Sequence, residues 1–375
     1  MAKTKQATVA TRRKFLGGAA IAGAATIAMP QVSRAQTITL KMQGAWGAGD
    51  IFNDYAQQLV DIVNELGGGR LKIDYLKAGA VVKTFQVQDA VSKGVLDAGH
   101  LVPAYWYGKN RAASLFGTGP CFGWDTHGVI AWTRGPGKAL YEELTQKILG
   151  LNIVGWFVMP QSAQPLGWFN KEPKSPADMK NLKYRTVGLA ANVMQELGCK
   201  VTQLPGGEIV PAMEKGVIDA FEYSNPTSDF RFGAPDVAKI YMLSSYHQSS
   251  ECLEVEINKT KWESLAKEQK AIVEHGIQAA NSTNLWLAYS SYGEYLQKIK
   301  KAGVKVKRTP QSILDAQLKA WDKVVAQYGK DPFFMKVVEN QKAWAQDKAY
   351  CSIMMANDLA QAYSHYYGKD HPLEL

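Results

Sequence analysis

DAVSKGVLDA at residues 89–98 and PAMEKGVIDA at residues 211–220 are one ten-residue pattern written twice. Six positions are identical, and Leu96 and Ile218 form a conservative pair. Each copy predicts a helix that stops at a Lys–Gly step, where glycine takes the left-handed C-cap conformation, and a short strand that follows at once. At this domain-scale spacing the copies predict two similar α/β lobes, with a ligand cleft between them.

Outward from the first copy, TITLKMQ (37–43) alternates as a strand, GAWGAG (44–49) is a turn and 50–66 carries a helical period. LKIDYL (71–76) and VLDAGHL (95–101) are the next strands, and 83–93 is the first repeat helix. LNIVGWFV (151–158) and PLGWFN (165–170) read as connecting strands. KYRTVG (183–188) opens a second α/β unit, with a helix over 190–197 before the second copy. CLEVEIN (252–258) returns as a strand, 262–301 reads as one or two long helices, 305–309 as a short strand and 311–366 as further helices. The strand–helix alternation predicts a mainly parallel sheet with helices on both faces. No low-complexity linker divides the lobes, so the chain is expected to cross between them more than once. Residues 36–158 with about 250–285 are expected to form lobe 1, 159–249 with about 286–310 lobe 2, and 311–375 a set of C-terminal helices.

TRRKFL (11–16), an adjacent arginine pair before a weakly apolar run from Leu16 to Met29, reads as an export signal over residues 1–35. The run is too short to span a bilayer, and Ser33-Arg34-Ala35 resembles a cleavage site that leaves Gln36 as the first mature residue. The arginine pair marks the twin-arginine route, and the mature protein is expected in the periplasm. The leader holds six basic residues and no acidic one, so its removal lowers the formal charge from +9 to +3. The folded part shows no basic stripe, which argues against a nucleic-acid partner.

Catalytic and cofactor patterns are missing. The cysteines Cys121, Cys199, Cys252 and Cys351 form no C-x-x-C pair, and the six histidines have no metal-ligand spacing. They are expected to be mostly buried free thiols. GAWGAG lacks the Walker lysine, and no G-x-S-x-G occurs. The sequence reads as a non-enzyme; an exported enzyme acting on a carboxylic acid is the competing class.

Arg185 stands inside the strand-like KYRTVG. A buried anionic ligand needs a fixed cation, and an arginine fork matches a carboxylate through two parallel charge-assisted hydrogen bonds. A surface position, or a salt bridge to Glu222, is the plainer alternative. Glu222 and Tyr223 follow the second repeat at a strand end, where open α/β sheets place ligands. An acid beside an anion site suits a bridging hard cation. Gln164, in SAQPLGWF, adds a neutral polar contact, and Trp46 on its turn is placed to line a cleft.

Gln164, Arg185 and Glu222, together with PLGWFNKEPKSPADMKNLKYRTVG (165–188), GGEIVPAMEKGVIDAFEY (206–223), EVEINKTKWESL (254–265) and YWYGK (105–109), resemble the DctP-type solute-binding proteins of tripartite ATP-independent periplasmic (TRAP) transporters. The resemblance covers essentially the whole mature chain. It implies an α/β, two-lobed periplasmic binding protein fold, with a ligand cleft between lobes and long connecting and C-terminal helices. It implies capture of a monocarboxylate, 2-oxoacid or aromatic carboxylate and delivery to membrane permease subunits. Arg185 matches the family's carboxylate-binding arginine. Gln164, Glu222 and the Tyr223 carbonyl match positions that hold a sodium or calcium ion in the 2-oxoacid branch. The family's fourth ligand is a glutamate, and here that position is Gln248, with Glu251 three residues on. Two readings stay open: Glu251 replaces the missing ligand, or Gln248 bonds the solute directly without metal. Trp46, Tyr105, Trp106 and Phe122 are expected to wall the cleft. The same fold serves periplasmic ligand sensors, which share the site. The C-terminal helices, rich in Trp, Tyr and Met, either pack on their own lobes or make a homodimer.

Overall fold

The computed structural model describes residues 37–373. The expected export segment, its cleavage point and Gln36 lie outside the described residues. In chain order, β1 (Ile38–Gly44), α1 (Ile51–Gly67), β2 (Leu71–Leu76), α2 (Val87–Ser92) and β3 (Ala98–Leu101) begin one lobe. Helices α3 (Thr126–Arg134) and α4 (Pro136–Glu142) lead to the long β4 (Ile153–Gln161). The second lobe contains β5 (Gly167–Phe169), β6 (Lys183–Arg185), α5 (Ala190–Glu196), β7 (Lys200–Thr202), α6 (Ile209–Glu214), β8 (Ala220–Phe221), α7 (Pro226–Arg231), α8 (Ala234–Val237) and β9 (Ile240–Leu243). Strand β10 (Glu251–Asn258) returns, followed by α9 (Lys259–Ser264), α10 (Lys267–Lys301) and β11 (Lys305–Arg308). Helices α11 (Gln311–Gln327), α12 (Pro332–Met355) and α13 (Leu359–Tyr367) end the chain.

The strands form two sheets, ordered β2-β1-β3-β10-β4 and β11-β9-β5-β8-β6-β7. Each is mainly parallel in strand direction, as the sequence predicts, with one reversed strand apiece, β10 in the first and β5 in the second. The pairs β1–β2, β1–β3, β6–β7, β6–β8 and β9–β11 are parallel. Strand β10 runs antiparallel to β3 and β4, and β5 antiparallel to β8 and β9. The physical reason is the crossing. Parallel strands in each lobe end at the cleft, whereas a strand arriving from the other lobe starts there and runs the opposite way. Helix α10 packs on α1 and β4 and, further along, on α7 of the second lobe.

The repeated decapeptide makes the same structure twice. Gly94 and Gly216 take φ of 74° and 67°, the left-handed region that lets each helix stop. Val95 N–H donates to the Ala90 carbonyl and Val217 N–H to the Ala212 carbonyl, both at 2.9 Å. The repeated aspartate has the same task in both. Asp97 Oδ2 accepts the Lys41 N–H at 2.8 Å, and Asp219 Oδ2 accepts the Lys183 N–H at 3.2 Å. Each aspartate N–H returns to the carbonyl of the same lysine, at 3.0 and 2.7 Å. The motif thereby clamps the incoming chain to the neighbouring parallel strand.

All four cysteines are free; Cys199 and Cys252 are buried, Cys121 is half-buried and Cys351 exposed, so only half fit the expected buried thiols. Among the described residues, no helix is long and apolar enough to cross a membrane.

Candidate functional site

Strand β6 lies between β8 and β7, and Arg185 is its last residue. The ladder pairs Arg185 with Phe221, and the Glu222 N–H extends it by donating to the Arg185 carbonyl at 3.2 Å. Two adjacent parallel strands therefore end side by side and deliver an arginine and a glutamate to one point. Both side chains are sealed from solvent. Arg185 Nη1 donates to Glu222 Oε1 at 3.0 Å and to the Glu222 carbonyl at 2.8 Å. Its Nε and Nη2 donate to the Leu204 carbonyl at 2.8 and 2.6 Å. These bonds use four of the five guanidinium N–H donors and fix the fork rigidly. The sequence alternative of an Arg185–Glu222 salt bridge is therefore present, but deep inside rather than at the surface.

The crossing segments supply the rest. Gln164 follows β4 and Gln248 precedes β10, and they are tied by the Gln164 N–H donating to the Gln248 carbonyl at 2.9 Å. Gln164 Nε2 donates to Glu251 Oε2 at 2.6 Å, and Gln248 Nε2 lies 3.4 Å from Glu251 Oε1 and 3.2 Å from Thr118 Oγ1. Burial, and then the charge of Glu222, push the Glu251 carboxyl up to about 8, while Gln164 and Arg185 pull it down. Gln164 Oε1, Gln248 Oε1 and Glu222 Oε2 are buried without a hydrogen-bond partner. Unpartnered buried oxygens are costly, and a hard cation is one way to satisfy them. Among the described residues, no three His, Cys, Asp or Glu side chains are grouped to hold a metal. The donor set here is mixed instead: two carboxylates, Glu222 and Glu251, and two amides, Gln164 and Gln248. Hard cations take amide and carboxylate oxygens alike, so these residues fit sodium or calcium.

Arg185, Gln248 and Glu251 border a cavity whose other walls are Trp46, Phe52, Val102, Tyr105, Val187, Tyr223 and Leu253. First lobe, second lobe and crossing strand all contribute. Its volume is about 10 Å³, the room of about one water molecule. The lobes are thus shut, and a solute enters only when they part. Trp46 is held by its indole N–H, which donates to His100 Nδ1 at 2.7 Å, and by the edge of Phe52 at 4.7 Å between ring centres. Burial pushes His100 down to about 3, which keeps it a neutral acceptor for the indole.

Trp46, Tyr105, Arg185, Tyr223, Gln248 and Glu251 thus meet at the cavity, and Gln164 and Glu222 stand directly behind it. Trp106 and Phe122 do not join them. The Trp106 indole turns into the first lobe to donate to Glu254 Oε1, because a buried N–H goes where an acceptor is available. Phe122 packs on Trp124, its ring centre 6.4 Å away, on the α12 side of the lobe. Sequence reading missed Phe52, Val102, Val187 and Leu253, which look like ordinary core residues. It also missed Asp50, whose signal was legible: an aspartate directly before a helical run.

Two α/β lobes that shut on an arginine at a strand-end cleft define a solute-binding protein. The chain matches the family model "Bacterial extracellular solute-binding protein, family 7" over residues 42–331, and it belongs to this DctP family. It is 33% identical to the monocarboxylate 2-oxoacid-binding periplasmic protein of Nostoc sp., over 89% of this chain and 93% of that one. It also resembles a TRAP transporter solute-binding protein of Bordetella bronchiseptica, crystallised with copurified calcium and picolinate (TM-score 0.83, 28% identity, 89% of this chain and 99% of that one). A TRAP solute-binding protein of Colwellia psychrerythraea with bound calcium and pyruvate is similar too (TM-score 0.79, 27% identity, 88% and 99% covered). The family consists of solute-binding proteins and not of enzymes.

Proposed function

We propose that this protein is the extracytoplasmic receptor of a TRAP transporter, that it captures a small organic monocarboxylate through Arg185, and that it hands the acid to membrane permease subunits. One observation carries the reading: a fully buried, immobilised arginine at the edge of a closed inter-lobe cavity walled by aromatic rings. The relatives' pyruvate, picolinate and 2-oxoacids share a carboxylate beside a second donor atom, which suits an arginine next to a cation. Gln164, Glu222, Gln248 and Glu251 would hold sodium or calcium, with the Tyr223 carbonyl as a further donor. A bound cation supplies a positive centre for the acid's second oxygen. The residues themselves orient the acid, and the walls of Trp46, Phe52 and Tyr105 exclude water from it. Of the two readings for position 248, the hydrogen bonds that bring Glu251 to Gln164 and Gln248 support the one in which Glu251 replaces the missing ligand.

The test is calorimetry with pyruvate, picolinate and a panel of related acids. Arg185→Ala is expected to weaken binding by about 2–5 kcal/mol, the usual loss when one partner of a buried charge pair is truncated. Unchanged affinity would end the assignment. Export by the twin-arginine route over residues 1–35 belongs to the same proposal, as do lobe boundaries at about 158 and 250. So does a homodimer through the C-terminal helices. Tyr350, Ile353, Met354, Met355, Leu359 and Tyr366 are all exposed there, an apolar surface that a second copy would cover. Light scattering at several concentrations reads the dimer out.

A further inference from the structure

Beside the cavity the two lobes share a second polar contact. Asp50 belongs to the first lobe and caps α1, with Oδ1 accepting the Phe52 N–H at 3.0 Å. A helix cap needs no more than that. The same carboxylate accepts two hydroxyls from the other lobe, Ser228 Oγ of α7 at 2.6 Å and the Tyr223 hydroxyl on Oδ2. All three side chains are buried. The Tyr223 ring lies 5.6 Å from the Arg185 guanidinium and 6.2 Å from the Phe52 ring. Further along the same two helices, Arg231 Nη1 of α7 pairs with Asp54 Oδ2 of α1 at 2.6 Å, near the surface.

A carboxylate removed from water is stabilised only if its oxygens are bonded. Asp50 obtains these bonds in the shut arrangement, and they come from the opposite lobe. Parting the lobes breaks both hydroxyl bonds to it and releases Tyr223 from its place against Arg185.

We propose that Asp50 is a closure latch: a positioning residue whose hydrogen bonds to Tyr223 and Ser228 hold the lobes together and keep Tyr223 packed on the solute-binding arginine. Its value to the protein rests on the solute-binding reading above, but the latch itself concerns lobe closure and is measured without any solute. Asp50→Asn keeps an oxygen to cap α1 and loses the second acceptor. Tyr223→Phe keeps the ring and loses the hydroxyl.

The experiment labels the full chain at Lys72→Cys on β2 and Lys200→Cys on β7, both exposed, with Cys121 and Cys351 changed to serine. Pulsed electron spin resonance then gives the distance between lobes in the solute-free protein. Each single substitution is expected to lower the ratio of short to long distances on the order of tenfold, the worth of a hydrogen bond to a charged acceptor. The Asp50→Asn/Tyr223→Phe double variant should lose no more than either single one, with the thermal midpoint of the chain retained. Identical distance distributions in all four chains would overturn the latch, as would strictly additive losses. Failure of every carboxylic acid to bind wild-type protein would overturn the solute reading and leave this distance result standing by itself.

Discussion

Arg185 Nη1 and Glu222 Oε1 stand 3.0 Å apart at the ends of neighbouring strands, both without contact with solvent. The pair aims the arginine and leaves the far oxygen of Glu222 without a hydrogen bond, 4.0 Å from His247 Nε2. Glu222→Ala strands the guanidinium charge in the interior. Breaking a buried pair in this way costs about 3–5 kcal/mol, which urea unfolding of the purified protein reads directly. Glu222→Gln retains a hydrogen-bond acceptor and is expected to cost less.

The approach of the lobes gives a second prediction. Gly188 has a φ of 63°, and a Cβ there would lie 2.5 Å from Ser114 Oγ of the other lobe. The same Ser114 Oγ accepts the Leu189 N–H at 2.9 Å. Gly188→Ala is expected to wedge the lobes apart and weaken acid binding on the order of tenfold or more, in addition to about 1 kcal/mol of left-handed backbone strain. Calorimetry measures the first effect, and thermal unfolding of solute-free protein the second. Full affinity in this variant would show that closure does not bring these atoms together.

Asp229 links stability to pH. It is buried in the second lobe, where Trp168 Nε1 donates to it at 2.8 Å. Burial pushes its carboxyl up from the ordinary 3.8 to about 7, against the hydrogen bonds that favour its charge. A raised folded-state value means that folding takes up a proton. The stabilisation is complete below 3.8 and is lost as pH rises through about 7. One such proton gives a slope of about 1.4 kcal/mol per pH unit across that window. Asp229→Asn should flatten the measured slope by about that amount. An unchanged slope in urea unfolding would place the titration elsewhere.

Calcium provides the fourth prediction. After dialysis against chelator, added calcium should raise the thermal midpoint, because a ligand that binds only the native state stabilises it by mass action. At a hundred times its dissociation constant the gain is about 2.7 kcal/mol. Glu251→Gln and Gln164→Ala should each reduce the response. A midpoint indifferent to calcium and sodium alike would favour a site where Gln248 bonds the solute without metal.

The lobes were legible in the sequence because the repeat encodes them locally. A Lys–Gly stop and an aspartate two residues after the following valine decide one helix–strand junction, and the junction recurs. The Arg185–Glu222 meeting was legible for the same reason, since both follow from strand ends. The mainly parallel direction of the sheets was legible too, but the reversal of the crossing strands β5 and β10 was not. Nothing within β10 says that it enters from the cleft, so its antiparallel pairing with β3 is a property of the chain path. Aromatic side chains failed differently. Trp46 and Trp106 are both tryptophans on loop-like segments, and their fates were decided by distant acceptors, His100 for one and Glu254 for the other. Hydrogen bonds across 54 and 148 residues leave no mark on local spacing.

The cavity between the lobes has the room of about one water molecule, so an organic acid fits only after its walls have moved apart. An acid seated between re-closed walls would be imprisoned by them rather than merely adsorbed. Unloading then becomes a mechanical problem: whatever receives the acid must first prise the jaws apart, and the rate of that step sets an upper limit on the rate of release.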